Sequence, residues 1–147
     1  MKTRLINLDA TLRLVRRALR ETFPHHTIDA SPTPTGLCGI HVTWSDGPTV
    51  EQVQRVLDPF GLGGHNEVHW HSLNGVPVTF QPFIRVLRLT TGQPVDPVVP
   101  QPSATLASII TITEYHAWAA HLRELDLLRR SKRLLRRLDG QSAFAAT

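Results

Sequence analysis

The sequence predicts an α+β fold, a small and mainly antiparallel sheet packed by two helices, with a basic helix at its C-terminal end. Three observations lead there. Residues 9–22 and 48–58 each carry an apolar stripe at helical spacing. Residues 38–44, CGIHVTW, alternate apolar and polar side chains, as a strand with one covered face does. Residues 91–103, TGQPVDPVVPQPS, hold four prolines and read as a linker. It divides an α+β core domain of residues 1–90 from a helical, basic extension of residues 104–147.

Taken in order, Asp9 is placed to cap the first helix, whose apolar stripe is Leu8, Leu12, Val15 and Leu19. Phe23 and Pro24 end that helix, since proline cannot continue it. Residues 27–30 form a candidate short strand, and 31–36, SPTPTG, a loop or a hairpin connection. After strand 38–44 comes WSDGPT at 44–49. Trp44 is the expected anchor of a strand–turn–helix corner. Asp46 and Gly47 make the turn, and Pro48 is the first helical residue, with Ser45 or Asp46 as the cap. Val50, Val53, Val56 and Leu57 then give the second helix its apolar face. Asn74-Gly75 signals a hairpin turn beside the alternating Val76, Val78 and Phe80. Pro82 interrupts, and residues 84–89 resume as a strand with Arg85 and Arg88 exposed. Beyond the prolines, Thr113 is placed to cap a long helix over 114–138.

Phe23-Pro24 and Trp44-x-Asp46-Gly47-Pro48 have a further use. Together with LRLVRRALRETFP at 12–24, HVTWSDGPTVEQV at 41–53 and VLDPF at 56–60, they give a family resemblance. Residues 9–65 resemble a small domain associated with large polyvalent proteins of phages and conjugative elements. The resemblance implies an accessory role beside mobile DNA and supplies no catalytic residues. It leaves the proline-rich segment and the basic helix unexplained.

The 147 residues suffice for one domain with a core. The net charge is +4, and it is unevenly placed. Residues 121–139 carry seven basic side chains against three acids, while the rest of the chain balances. A single cysteine, Cys38, excludes an internal disulfide framework. The N-terminal residues lack a signal-peptide pattern, and no window of about eighteen residues is continuously apolar. The expectation is therefore a cytoplasmic protein with no membrane contact.

Candidate chemistry is sparse. His65, His69 and His71, in HNEVHWH at 65–71, are the best metal-like group, but they follow no established zinc spacing. No metal and no cofactor are expected. Cys38 and His41 fall on opposite sides of a strand and cannot act together as nucleophile and base. Residues 61–66, GLGGHN, lack the Gly-Lys-Ser/Thr of a phosphate loop. The stronger signal is basic. Arg13, Arg16, Arg17 and Arg20 share one helical stripe. Arg129, Arg130, Lys132, Arg133, Arg136 and Arg137 band the last helix. Such faces bind phosphates without reading bases. The chain therefore reads as a non-catalytic accessory binding protein that contacts double-stranded DNA or RNA through these ten residues. The alternative is a protein-interaction or homo-oligomerisation module, a homodimer in its simplest form, in which Leu134, Leu135 and Leu138 meet another subunit.

Overall fold

The structure is a computed structural model describing residues 3–34, 38–61 and 70–145, with side chains through residue 139. The fold is α+β. A short strand, β1 (Arg4–Ile6), leads into α1 (Leu8–Thr22). The N-cap is Asn7, whose side chain accepts from Ala10 N at 2.9 Å, and Asp9 sits in the first turn instead. α1 turns Thr11, Leu12, Val15, Ala18, Leu19 and Thr22 inward and ends at Phe23, as its periodicity demands.

Two strands follow, β2 (Asp29–Pro32) and β3 (Gly39–Ser45), paired antiparallel with Ala30 opposite Val42. α2 (Val50–Leu57) starts two residues later than the proline suggests. Its cap is Thr49, in a capping box with Gln52, rather than Ser45 or Asp46. A short helical turn, Asp58–Phe60, closes it. β4 (Trp70–Leu73) and β5 (Val76–Phe80) form the hairpin around Asn74-Gly75, both with positive φ as that turn requires. β6 (Phe83–Leu89) lies parallel to β3, with Gly39 opposite Phe83. A Cβ on Gly39 would sit 2.6 Å from the tip of the Phe83 ring, so any larger residue there requires that ring to move.

The expected single sheet is instead two mixed sheets. One has the order β2-β3-β6. The other has the order β1-β5-β4-β7, where β7 is Ile109–Ile112 and β1 runs parallel to β5. Among the described residues, fifteen buried side chains form one core between α1, α2 and the three-stranded sheet, with Phe60 and Ile109 among them.

The proline-rich segment lies inside this compact unit, which runs to Thr111. Gln101 N donates to Thr22 O at 2.9 Å, and Gln52 Nε2 donates to Val98 O at 2.7 Å. Glu21 accepts from Ser103 Oγ at 2.9 Å and from Thr105 N at 3.0 Å, at the start of α3 (Ala104–Ala107). One backbone amide, one side-chain amide and a carboxylate thus tie this segment to α1 and α2. The second unit, residues 112–147, consists of the end of β7 and α4 (Tyr115–Ala145). Among the described residues, no helix is long and apolar enough to cross a membrane.

Candidate nucleic-acid interface

α1 has one buried face and one basic face, and the sequence dictates both. With apolar residues at 12, 15 and 19 turned inward, Arg13, Arg16, Arg17 and Arg20 are forced outward, and all four are exposed. They line an open cleft of about 520 Å³, whose opposite wall is Ile28, Asp29 and Ala30. Three of the side chains are held through Nε. Arg16 donates to Ala30 O at 2.9 Å, a carbonyl of strand β2. Arg20 donates to Arg16 O at 3.4 Å, and Arg13 donates over a longer 3.5 Å to Asp9 O. Using Nε on the backbone leaves the Nη groups of each fork for a ligand.

A second cleft of about 300 Å³ adjoins the first. Arg13 and Arg17 border both, and Arg4 of β1 joins them over Ile6, Ala10, Leu14 and Leu73. Five arginines thus form one continuous surface. Among the described residues, Asp29 is the single acid in its lining. Glu21, the acid that feels Arg17, is committed elsewhere. Hydrogen bonds from Thr105 and Ser103 hold its carboxyl below the usual range, with a smaller contribution from Arg17. No aromatic side chain lines either cleft among the described residues, so bases would find no stacking surface.

Arg4 escapes sequence reading. It belongs to a three-residue strand, too short for periodicity, and only the parallel pairing of Arg4 with Val78 places it. The remaining predicted basic residues belong to α4, in the second unit. Arg129, Arg130, Lys132, Arg133, Arg136 and Arg137 are all exposed, and Arg130 pairs with Asp126 at 3.2 Å. At about 100° per residue, they leave a leucine arc uncovered and do not encircle the helix.

The WSDGPT corner is a strut. Trp44 is buried and its Nε1 donates to Pro48 O at 2.9 Å. Asp46 takes positive φ and accepts from Thr91 N at 3.0 Å and Thr91 Oγ1 at 2.6 Å. Those bonds, with Arg88 as a lesser influence, lower the Asp46 pKa. Arg88 is half-buried rather than exposed and reaches Gly47 O at 3.3 Å. Asp46 therefore ties the end of β6 to the corner, and Phe23 and Pro48 are buried alongside. Pro24 is exposed just past the helix end.

His65 and His69 lie outside the described residues. His71 is buried, with Nδ1 3.2 Å from Thr111 Oγ1 and its ring edge-on to Phe80 at 5.6 Å. Among the described residues, no three His, Cys, Asp or Glu side chains converge as metal ligands. A cleft of about 420 Å³ at Thr22, Gln52 and Gln101 holds one charged residue, Arg55, and so concentrates no charge. Comparison with family models, curated proteins and solved structures returned no match.

Proposed function

We propose that this chain is a non-catalytic protein that holds nucleic-acid phosphates on the arginine surface of α1 and β1, without reading sequence. The carrying observation is five arginines around two adjoining clefts with one acid in the lining. Phosphate neutralisation releases counterions and supplies affinity independent of sequence. Arg13 to Arg20 spans about 10 Å of helix axis at ~1.5 Å per residue, room for about three phosphates of one duplex strand at ~3.4 Å each. The absence of an aromatic floor among the described residues favours duplex over unpaired bases. The arginines of α4 supply a second surface of the same kind. The resemblance of residues 9–65 to a module of phage and conjugative-element proteins supports a setting beside mobile DNA.

The test is a salt titration of binding to mixed-sequence double- and single-stranded DNA. The triple variant Arg13→Ala, Arg17→Ala, Arg20→Ala should weaken binding equally on unrelated duplexes. It should also flatten the salt dependence by roughly 0.9 for each phosphate that is no longer neutralised. A folded wild-type chain that binds no duplex at low salt rejects the proposal.

A further inference from the structure

The last helix changes its apolar side along its length. In its first half, Trp118 and Leu125 are buried. From Leu127 to Asp139 every side chain is exposed or nearly so. Within that stretch, Leu127, Leu128, Leu134, Leu135 and Leu138 are each between 57% and 61% exposed. At about 100° per residue, Leu127, Ser131, Leu134, Leu135 and Leu138 share one arc, with Leu128 at its edge. That arc lies roughly 140° from the side bearing Trp118 and Leu125. Arg129, Arg133 and Arg136 occupy the far side. The distal leucines therefore do not continue the buried stripe, and they form a separate face.

The order of residues in this face names its occupant. Residues 127–135 read LLRRSKRLL, a palindrome in side-chain class centred on Ser131. An isologous interface requires that a surface match itself after a two-fold rotation. Turning one copy end for end about Ser131 sets Leu127 and Leu128 against Leu135 and Leu134 of the other copy. The small Ser131 side chain then falls on the axis, where two helices approach most closely. We propose that this face pairs with the same face of a second copy of this chain, antiparallel and centred on Ser131.

The charges give the pair a distinctive salt response. Arg123, Arg130 and Arg137 recur every seven residues along one border of the leucine arc. In an antiparallel pair like borders meet, so these arginines come together in one seam. Their aliphatic stems cover leucine while their charges repel. Added salt screens that repulsion. Self-association therefore tightens as salt rises, whereas phosphate binding weakens. The pairing is measured without nucleic acid, so its failure and that of the phosphate reading are distinguishable.

The experiment uses the full chain in a Cys38→Ser background. Sedimentation over a wide dilution range should show a reversible dimer that strengthens with salt. Leu134→Glu with Leu135→Glu should abolish it with helical circular dichroism retained, since both side chains are exposed in the single chain. Ser131→Cys should form an intermolecular disulfide, because two Cα atoms near the axis fall within the roughly 7 Å that such a bond tolerates. Leu127→Cys alone should not cross-link, while a mixture of Leu127→Cys and Leu135→Cys chains should. A monomer at every concentration overturns the proposal, and so does a dimer indifferent to the glutamates. Cross-linking of Leu127→Cys with itself, the mark of a parallel pair, overturns it too. So does a monomer whose leucine face is taken up by anionic vesicles or by a different protein.

Discussion

The arginines of α1 and those of α4 are the same side chain in two physical states. On α1 they stand on a helix whose other face is buried in the core, and Arg16 is tied by Nε to a strand carbonyl. On α4, from Leu127 onward, leucine and arginine are exposed alike, and Arg130 pairs with Asp126 at the surface. Fixing a free arginine on a ligand costs about 1 kcal/mol or more of rotamer entropy, and the α1 arginines have met part of that cost in folding. The comparison teaches that charge count does not rank the two surfaces. Residues 121–139 hold all the excess charge, yet preorganisation belongs to α1.

The sharpest way to break the comparison is to remove the support beneath α1. Trp44→Ala deletes a buried ring and its hydrogen bond to Pro48 O, and should cost about 3–5 kcal/mol. Leu134→Ala, at an exposed position, should change the stability of the dilute chain by no more than about 0.5 kcal/mol. Denaturant midpoints of the two variants measure the difference. Equal midpoints would mean that the core described around α1 is not what holds the chain folded.

A smaller effect is expected at Gly47. Its φ is +66°, and a Cβ there would meet His26 Nδ1 at 2.8 Å. Gly47→Ala should therefore cost about 1–3 kcal/mol from backbone strain, before the clash is relieved. His26→Ala in the same chain removes the clash and should restore part of the midpoint. No restoration would assign the whole loss to the backbone.

Next in size is binding. Replacing Arg4 alone, the residue that periodicity does not reveal, should lower the salt slope by up to about one unit if it takes a phosphate. Replacing Arg133 on α4 should lower affinity less than replacing Arg16, whose Nε is already tied to Ala30 O, because the Arg133 side chain must first be ordered. Anisotropy titrations on one mixed duplex measure both. A greater loss at Arg133 would reverse the ranking of the two surfaces.

How far these surfaces are legible in the sequence depends on what encodes them. The basic and apolar stripes of α1 are readable because one helical period carries both. Trp44 is readable as an anchor because it ends an alternating strand. The caps are not, since Asn7 and Asp9, or Asp46 and Thr49, are chemically equivalent candidates, and only geometry chooses between them. The docking of the proline-rich segment is invisible for another reason. Gln52 to Val98 and Glu21 to Thr105 are single polar bonds across long sequence separations, with no periodic trace. β7 escapes for a similar reason, since its four residues, Ile109–Ile112, are too few for a period and only their place beside β4 makes them a strand. The palindrome at 127–135 is present in the letters, but its meaning needs the exposure of every leucine in it.

The smallest expected effect is on pH dependence, and it separates the same two regions. Glu21 and Asp46 both have lowered pKa values, Glu21 chiefly through hydrogen bonding from Thr105 and Asp46 chiefly through Thr91. A carboxyl whose folded pKa lies below its unfolded value stabilises the fold fully above the unfolded pKa of about 4, and that stabilisation is lost as pH falls through the folded value. Both pins belong to the first compact unit. Acid should therefore loosen the attachment of the proline-rich segment and of the WSDGPT corner. Glu21→Gln and Asp46→Asn should each lower the thermal midpoint slightly at neutral pH and flatten its decline in acid. Wild type and variants should converge once the carboxyls are protonated. Hydrogen exchange at the Thr105 and Thr91 amides reports the pins one at a time, and protection there that survives acid would show that neither carboxylate holds its segment in place.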